Sequence, residues 1–334
     1  MRKYLKGDPL TWLTDGINSA VTYLAQRELI SEKDPDVLLS DLLSSPLTTF
    51  FRKKTSGNIL GDSANYDIFY RGSVWFFLLA VESGYDSRTD FIKATADCIC
   101  NKSQMNDGGF SFNWHPPVSV GCRTGDIIKA MIRAGINDER RSAGLAWIIK
   151  HQRHDGGWLH CPFRGAPDVM KLIILKKSGN GHHDDTDISL PSCPVATCAC
   201  MGALIESGDK QYEQTVARSA GFLLSLDLSG KKKKNITRCG LSINPLQPGY
   251  PVMSQFDVIT VLRLLAAAGV TESSRSGELF NSIMSLQGSE GRWRSLNSNQ
   301  GMIPEKRVES RWVTLNALRM IKAVSEKENQ LEKA

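Results

Sequence analysis

Three segments of this 334-residue chain share one spacing: Gln104, Asp107, Gly108 and Phe110; Gln152, Asp155, Gly156 and Trp158; Gln287, Glu290, Gly291 and Trp293. Each reads Gln, an acid three residues on, Gly directly after it and an aromatic two positions further. At ordinary residue frequencies about 0.01 such matches are expected by chance in a chain of this length. The chain is therefore built by repetition, and repetition restricts the folds open to it more than any other feature. Each motif closes an apolar stretch of helical period, as in SAGLAWIIKHQ up to Gln152 and GELFNSIMSLQ up to Gln287, where Leu279, Ile283 and Leu286 share a face. After each motif comes a loop. Helical stretches that end in glycine alternate with these: SVWFFLLAVESG at Gly84, TGDIIKAMIRAG at Gly135, CACMGALIESG at Gly208 and DVITVLRLLAAAG at Gly269.

The repeating unit is thus a helical hairpin, a first helix ending at Gly, a short polar link such as INDERR, and a second helix ending at the Gln motif. AVTYLAQRE near Gln26 and RSAGFLLSLD near Asp227 read as degenerate copies, giving about five or six hairpins. One amphipathic hairpin cannot bury its apolar face, whereas a closed ring can, with the first helix of each pair inside and the second outside. The expected fold class is all-α, and the length fits one continuous core. The Gln and the aromatic of the motif are expected to knit neighbouring helices together, so they identify the architecture and not a reaction centre.

Composition narrows the function. Hydrophobic residues make up 41% and charged residues 23%, the balance of a globular protein. No stretch approaches the roughly 18 apolar residues of a membrane span, and MRKYLKGDPLTW has no apolar run behind its basic residues, so a cytoplasmic location is expected. The net charge of +6 sits largely in Lys231 to Lys234 and Lys176-Lys177, read as solvated loops; they leave peripheral contact with an anionic membrane surface or a diphosphate open. Basic residues interleaved with aromatics on one face are missing, which excludes nucleic acid as the expected partner. Eight cysteines in a reducing compartment are core fillers or metal ligands.

The three segments and the hairpins around them resemble the QW repeats of squalene-hopene and oxidosqualene cyclases and the related repeats of protein prenyltransferase β subunits, over about residues 65–325. The resemblance implies an α/α toroid forming a single domain over 1–334, with 1–64 as a helical lead-in and 326–334 as a polar tail. It also implies an isoprenoid-handling enzyme, either a prenyltransferase-like transferase or a terpene-cyclase-like isomerase, with an apolar central cavity. The ligand it points to is an isoprenoid or prenyl diphosphate, and the β-subunit likeness adds an α-subunit-like partner. A non-catalytic toroidal binding or scaffold protein, with a structural metal or none, is the alternative.

Candidate site residues follow from both readings. Asp184 lies in HHDDTD, which is similar to the DxDDT acid motif of class II cyclases, with His182 where the first Asp would stand. LPSC at 190–193 is similar to the Val-Asp-Ser-Cys stretch that supplies a zinc ligand in prenyltransferase β subunits, with Pro191 in the Asp position; ESRWVTLNAL, with Glu309, Ser310 and Arg311, lacks the corresponding His. A different zinc set is available in Cys122, Cys161 and Cys193 with His160, all in stretches leading into first helices; packing as small buried thiols is the alternative. Cys98, Cys100, Cys198 and Cys200 lie within apolar helices and are read as core. Asp126, one turn after Cys122, is a second acid candidate. Arg71, Trp75, Phe256 and Trp312, together with Tyr70, are candidates to line the pore, where aromatics would hold an isoprenoid chain or a cation. Arg71, Arg123 and Arg311, near first-helix starts, would meet a diphosphate or form surface salt bridges.

Overall fold

The computed structural model of the chain describes residues 1–31, 33–61, 72–111, 117–159, 191–228, 244–251, 256–270, 273–296 and 308–331. Among them the architecture is all-α. The amino-terminal part holds α1 (Leu10–Leu13), α2 (Ser19–Ala25, continued by a π-helical turn Gln26–Ile30), α3 (Pro35–Leu43), α4 (Pro46–Lys53) and a small antiparallel pair, β1 (Thr55–Ser56) with β2 (Ile59–Leu60). Four hairpins follow: α5 (Ser73–Glu82) with α6 (Asp90–Ser103), α7 (Gly121–Arg133) with α8 (Glu139–Lys150), α9 (Pro194–Ser207) with α10 (Glu213–Ser225), and α11 (Val258–Ala267) with α12 (Ser274–Ser285). The last helix, α13, runs over Arg311–Leu331. Asp138, Asp257 and Ser273 cap α8, α11 and α12 by accepting a backbone N–H three residues on.

The two helices of a hairpin differ in how they are buried. Every residue of α5 from Ser73 to Val81 is buried, as is every residue of α9 from Pro194 to Leu204, so these helices are covered on all sides. In α12 only Ser276, Leu279 and Ile283 are buried, a single stripe. First helices pack side by side in chain order, α5 on α7, α7 on α9, α9 on α11 and α11 on α13, and α13 then meets α2. The α7–α9 contact is the most extensive because Gly125 brings the backbones together: a Cβ there would sit 2.5 Å from the Ala199 carbonyl carbon and the Cys200 nitrogen.

The Gln motif ties each second helix to the next. Gln104 Nε2 donates to the Arg140 carbonyl at the start of α8 (2.7 Å), and Gln152 Nε2 donates to the Thr215 carbonyl in α10 (2.8 Å). Both also close their own turn onto the motif glycine carbonyl, at 3.1 and 3.0 Å. Gly156, at φ +88°, lies so close to α10 that a Cβ would come 2.3 Å from the Arg218 carbonyl oxygen. The motif aromatic is fixed twice. The indole N–H of Trp158 donates to the Ile148 carbonyl and that of Trp293 to the Ile283 carbonyl. The backbone N–H groups of Phe110, Trp158 and Trp293 donate to Thr124, Thr197 and Thr314 in the first two turns of the following first helix.

At the third motif no further hairpin follows, and the amino terminus takes its place. Gln287 Oε1 accepts from the Lys6 N–H at 3.0 Å, and Gly291 packs against Gly7. Arg311 donates to the Trp12 carbonyl and pairs with Asp15, while Arg319 pairs with Glu28. The lead-in is therefore a structural member: Tyr23 of α2 also lies against Gly84 beyond α5, and Thr48 bonds Tyr85 at 2.6 Å. Residues 326–331, expected as part of a polar tail, instead continue α13, with Glu328 held by Tyr4 at 2.6 Å.

Candidate binding cavity

The first helices enclose a cavity of about 350 Å³, with α5, α7, α9, α11 and α13 and the turn at Glu28 and Leu29 all contributing to its wall. One part of the wall is apolar, formed by Leu78, Val81, Val195, Ala199, Ile259 and Leu264. The rest carries Glu28, Glu82, Asp126, Lys129, Arg133, Glu206, Asp257, Arg263, Arg319 and Lys322. An apolar central cavity with an acid candidate at Asp126 was expected from the sequence; the observed wall is amphipathic. A second cavity adjoins it and shares Glu28, Glu82, Arg133, Glu206, Arg263 and Arg319, so the charged groups stand between the chamber and the region beside Arg27 and Asp86.

The charges are ordered by the repeat. Two residues before each hairpin glycine stand Glu82, Arg133, Glu206 and Ala267, and all four face the cavity. Adjacent members pair: Arg133 Nε donates to Glu206 at 2.9 Å. Burial would raise the Glu206 carboxyl, but Arg133 outweighs it and holds the pKa below the ordinary value. Glu28 receives Arg319 at 2.6 and 2.8 Å, and its carbonyl accepts from Lys322 Nζ at 2.6 Å. Burial opposes ionisation of Glu28 as well, yet Arg319 and Arg27 bring its pKa down to about 2. Asp126 is 3.5 Å from Lys129. Asp257, the cap of α11, accepts from the Thr260 N–H at 2.8 Å, and burial raises its pKa. Arg263 makes no hydrogen bond or ion pair among the described residues. Burial, then the neighbouring guanidiniums of Arg319 and Arg133, lower its pKa to about 10.

The expected site residues fall in different places. Asp126 faces the cavity. Trp75, Phe256 and Trp312 are buried near the starts of α5, α11 and α13 and do not line it: Trp75 lies under the Arg123 guanidinium at 4.2 Å, and Trp312 stacks on Tyr250 at 4.0 Å. Arg311 is taken up by the amino-terminal closure. Cys122 and Cys193 are buried at the starts of the adjacent helices α7 and α9. Arg71, Tyr70, His160, Cys161 and Asp184 lie outside the described residues. Among the described residues no group of three or more His, Cys, Asp or Glu is placed to hold a metal ion. Cys198, read as core, lines the cavity, though burial pushes its thiol up to about 12, which leaves no thiolate at neutral pH. Arg263, Arg319, Glu28, Glu82 and Asp257 were not singled out in the sequence. The column of residues two before the hairpin glycine was the signal that would have led to this end of the cavity.

No protein-family model matches the sequence, and no curated protein is similar to it. Among solved structures, the chain is similar to a variant of the type II terpene cyclase MstE from Scytonema in complex with geranylgeranyl dihydroxybenzoate, its substrate, at 12% identity and a TM-score of 0.46 over 95% of this chain and 99% of that one. It is also similar to a protein from Actinoplanes, at 10% identity and a TM-score of 0.45 over 92% of this chain and 89% of that one.

Proposed function

We propose that the hairpins form an α/α toroid whose central chamber binds an isoprenoid-type molecule, and that the protein is an isoprenoid-handling enzyme. The observation that carries this reading is the chamber itself. Five first helices and the turn after α2 are spent on enclosing about 350 Å³ with an apolar wall at one part and fixed charges at another. That is the form of a ligand site and not of a filled core. Within the reading, Asp126 is the acid candidate of the sequence that lies on the described wall, beside Glu82 and Asp257. Trp75, Phe256 and Trp312 are buried near the starts of α5, α11 and α13.

Zinc suits thiolate and imidazole donors and, when bound, supplies Lewis-acid chemistry or a thiolate of lowered pKa. Cys122 and Cys193 would furnish two of four donors, with His160 and Cys161 completing the set.

Binding of a fluorescent C15 prenyl alcohol to the wild type, and to Ala199→Trp, tests the chamber. Ala199 faces the cavity, so an indole there fills it. Binding that disappears in the folded variant supports the reading; equal binding in both proteins removes it. A toroidal scaffold is favoured by one observation, the pairing of Glu28 with Arg319 and of Arg133 with Glu206 across helices, which braces the ring without any ligand. Absence of prenyl binding with retained stability would support that second reading.

A further inference from the structure

We propose that the charged end of the cavity is an anion-receiving site centred on Arg263, which takes the carboxylate or phosphate group of a ligand whose remainder lies on the apolar wall. This deepens the chamber reading and rests on it. Three guanidiniums face this end of the cavity, and two are already matched. Arg133 is held by Glu206, and Arg319 is held by Glu28 and by Asn316 at 3.0 Å. The cations nearby are matched as well, Lys129 by Asp126 and Lys322 by the Glu28 carbonyl. Arg263 alone of these has no acceptor among the described residues.

The repeat shows why. Around the ring the position two residues before the hairpin glycine runs Glu82, Arg133, Glu206 and then Ala267, so α11 lacks at that position a carboxylate that could answer Arg263, one turn earlier in the same helix. Glu82, the remaining carboxylate of that column, acts on Arg133 and Asp257, and Asp257 is taken up in capping α11.

A half-buried guanidinium with no anion in hydrogen-bond contact is costly, and an anion that enters the cavity offsets that cost. In Arg263 burial and the like charges of Arg319 and Arg133 outweigh the attraction of Glu206 and Glu28, which reach it through space without a hydrogen bond, and its pKa is lowered. The carboxyl ends of α5, α7 and α9 bring partial negative charge to this end of the cavity, which opposes an anion. Arg133, the last residue of α7, offsets part of that field. The planar fork of Arg263 suits two oxygens of one carboxylate or phosphate. Because Leu78, Val81 and Ile259 face the same cavity, the ligand that uses both surfaces is an amphiphile with an anionic head.

The test is calorimetric titration of the full chain with farnesol, with farnesyl monophosphate and with inorganic phosphate, each against wild type, Arg263→Gln and Arg263→Lys. Wild type is expected to bind the monophosphate about 10- to 100-fold more tightly than the alcohol, the range of a hydrogen bond to a charged group. Arg263→Gln should abolish that preference, and Arg263→Lys should retain part of it. Competition by inorganic phosphate alone would identify a free anion as sufficient; its failure to compete would identify the headgroup of an amphiphile.

Equal binding of alcohol and monophosphate by wild type would overturn the anion site and leave the chamber reading standing. A preference that persists in Arg263→Gln would also overturn it. Binding of phosphate and monophosphate without any binding of the alcohol would support the anion site and remove the isoprenoid reading; no binding of any of the three would remove both. Should Arg263→Gln fail to fold, the wild type still decides. Between about 50 mM and about 500 mM salt the monophosphate preference must weaken if an accessible cation provides it, and a preference independent of salt rejects the site.

Discussion

The seams between second helices and the wall of the cavity are built from the same hairpins, yet they use the repeat in opposite ways. At the seams the same residues recur with the same partners: Gln104 and Gln152 reach the next second helix, and Phe110, Trp158 and Trp293 each donate from the backbone to a threonine. On the cavity wall equivalent positions carry different residues, Glu82, Arg133, Glu206 and Ala267. Repetition makes the helical frame and variation makes the chamber. The difference teaches where to look in a repeat protein: invariant positions report assembly, and positions that vary within the frame report what the assembly holds.

The sharpest way to break this comparison is to disturb a seam. Gly156→Ala places a methyl group against the Arg218 carbonyl in a left-handed conformation, so α8 and α10 must part. It should cost about 3 kcal/mol or more. Gly221→Ala, within α10 and with nothing within 4 Å of the new Cβ, should instead gain up to about 1 kcal/mol from helix propensity. Urea titration of the two variants checks the contrast, and equal effects would deny the seams their structural role.

Glu28 joins the two regions, because it ties the turn after α2 to Arg319 of α13 and also faces the cavity. Its pKa in the folded protein is about 2 against an ordinary value of 4.5, so the stability it confers is present above about pH 4.5 and is lost as the pH falls towards 2. Glu28→Gln is expected to cost about 2 kcal/mol at neutral pH, and the gap to wild type should narrow progressively below about pH 4.5. Stability curves of both proteins between neutral pH and about pH 3 measure it; a gap that stays constant would assign the effect to packing.

Gln152→Ala removes the contacts of the amide nitrogen with the Gly156 carbonyl, the Thr215 carbonyl and the Ser219 hydroxyl; Thr215 keeps the Ser219 hydroxyl as a donor, while the Gly156 carbonyl loses its side-chain partner. The expected cost is about 1–2 kcal/mol. Gln287→Ala should cost less, because its Oε1 serves one partner, the Lys6 N–H. Denaturant midpoints rank the two, and the reverse order would mean that the amino-terminal closure carries more of the ring than the internal seams do.

Much of the frame was legible from the chain. The Gln motif gave the period, Gly84, Gly135, Gly208 and Gly269 marked the hairpin turns, and the apolar composition of α5 and α9 marked helices surrounded by others. The threonines that receive the motif aromatics were not legible, because loop lengths differ: Thr124, Thr197 and Thr314 follow their aromatics by unequal intervals. The amino-terminal closure was hidden for a related reason. Lys6 and Gly7 complete a seam by contact with Gln287 and Gly291, and no local pattern announces a contact between chain ends. Aromatic residues were singled out as the pore lining on the expectation of an apolar chamber, yet Trp75 and Trp312 are covered by Arg123 and Tyr250. The charged wall escaped notice because a charge near a helix end ordinarily faces solvent, and only the packing of the first helices side by side turns it inward.

The smallest expected effect is also the one that separates wall from seam most cleanly. If Arg263 is a ligand-facing cation and not a brace, removing its charge in the ligand-free protein should not weaken the fold. Arg263→Gln deletes no hydrogen bond or ion pair among the described residues and relieves a cation held beside Arg319 and Arg133. A gain of about 1 kcal/mol is expected at neutral pH, where both folded and unfolded states carry the charge and the folded state alone is penalised. For the wild type the sign is fixed by the low folded pKa: stability should rise with pH above about 10, where the folded protein gives up this proton before the unfolded chain does. Unfolding of wild type and variant without ligand, at neutral pH and near pH 10, measures both statements. A loss of stability in Arg263→Gln would make Arg263 part of the frame, like Arg133 and Arg319, and the distinction between wall and seam would then fail at the residue on which it bears most.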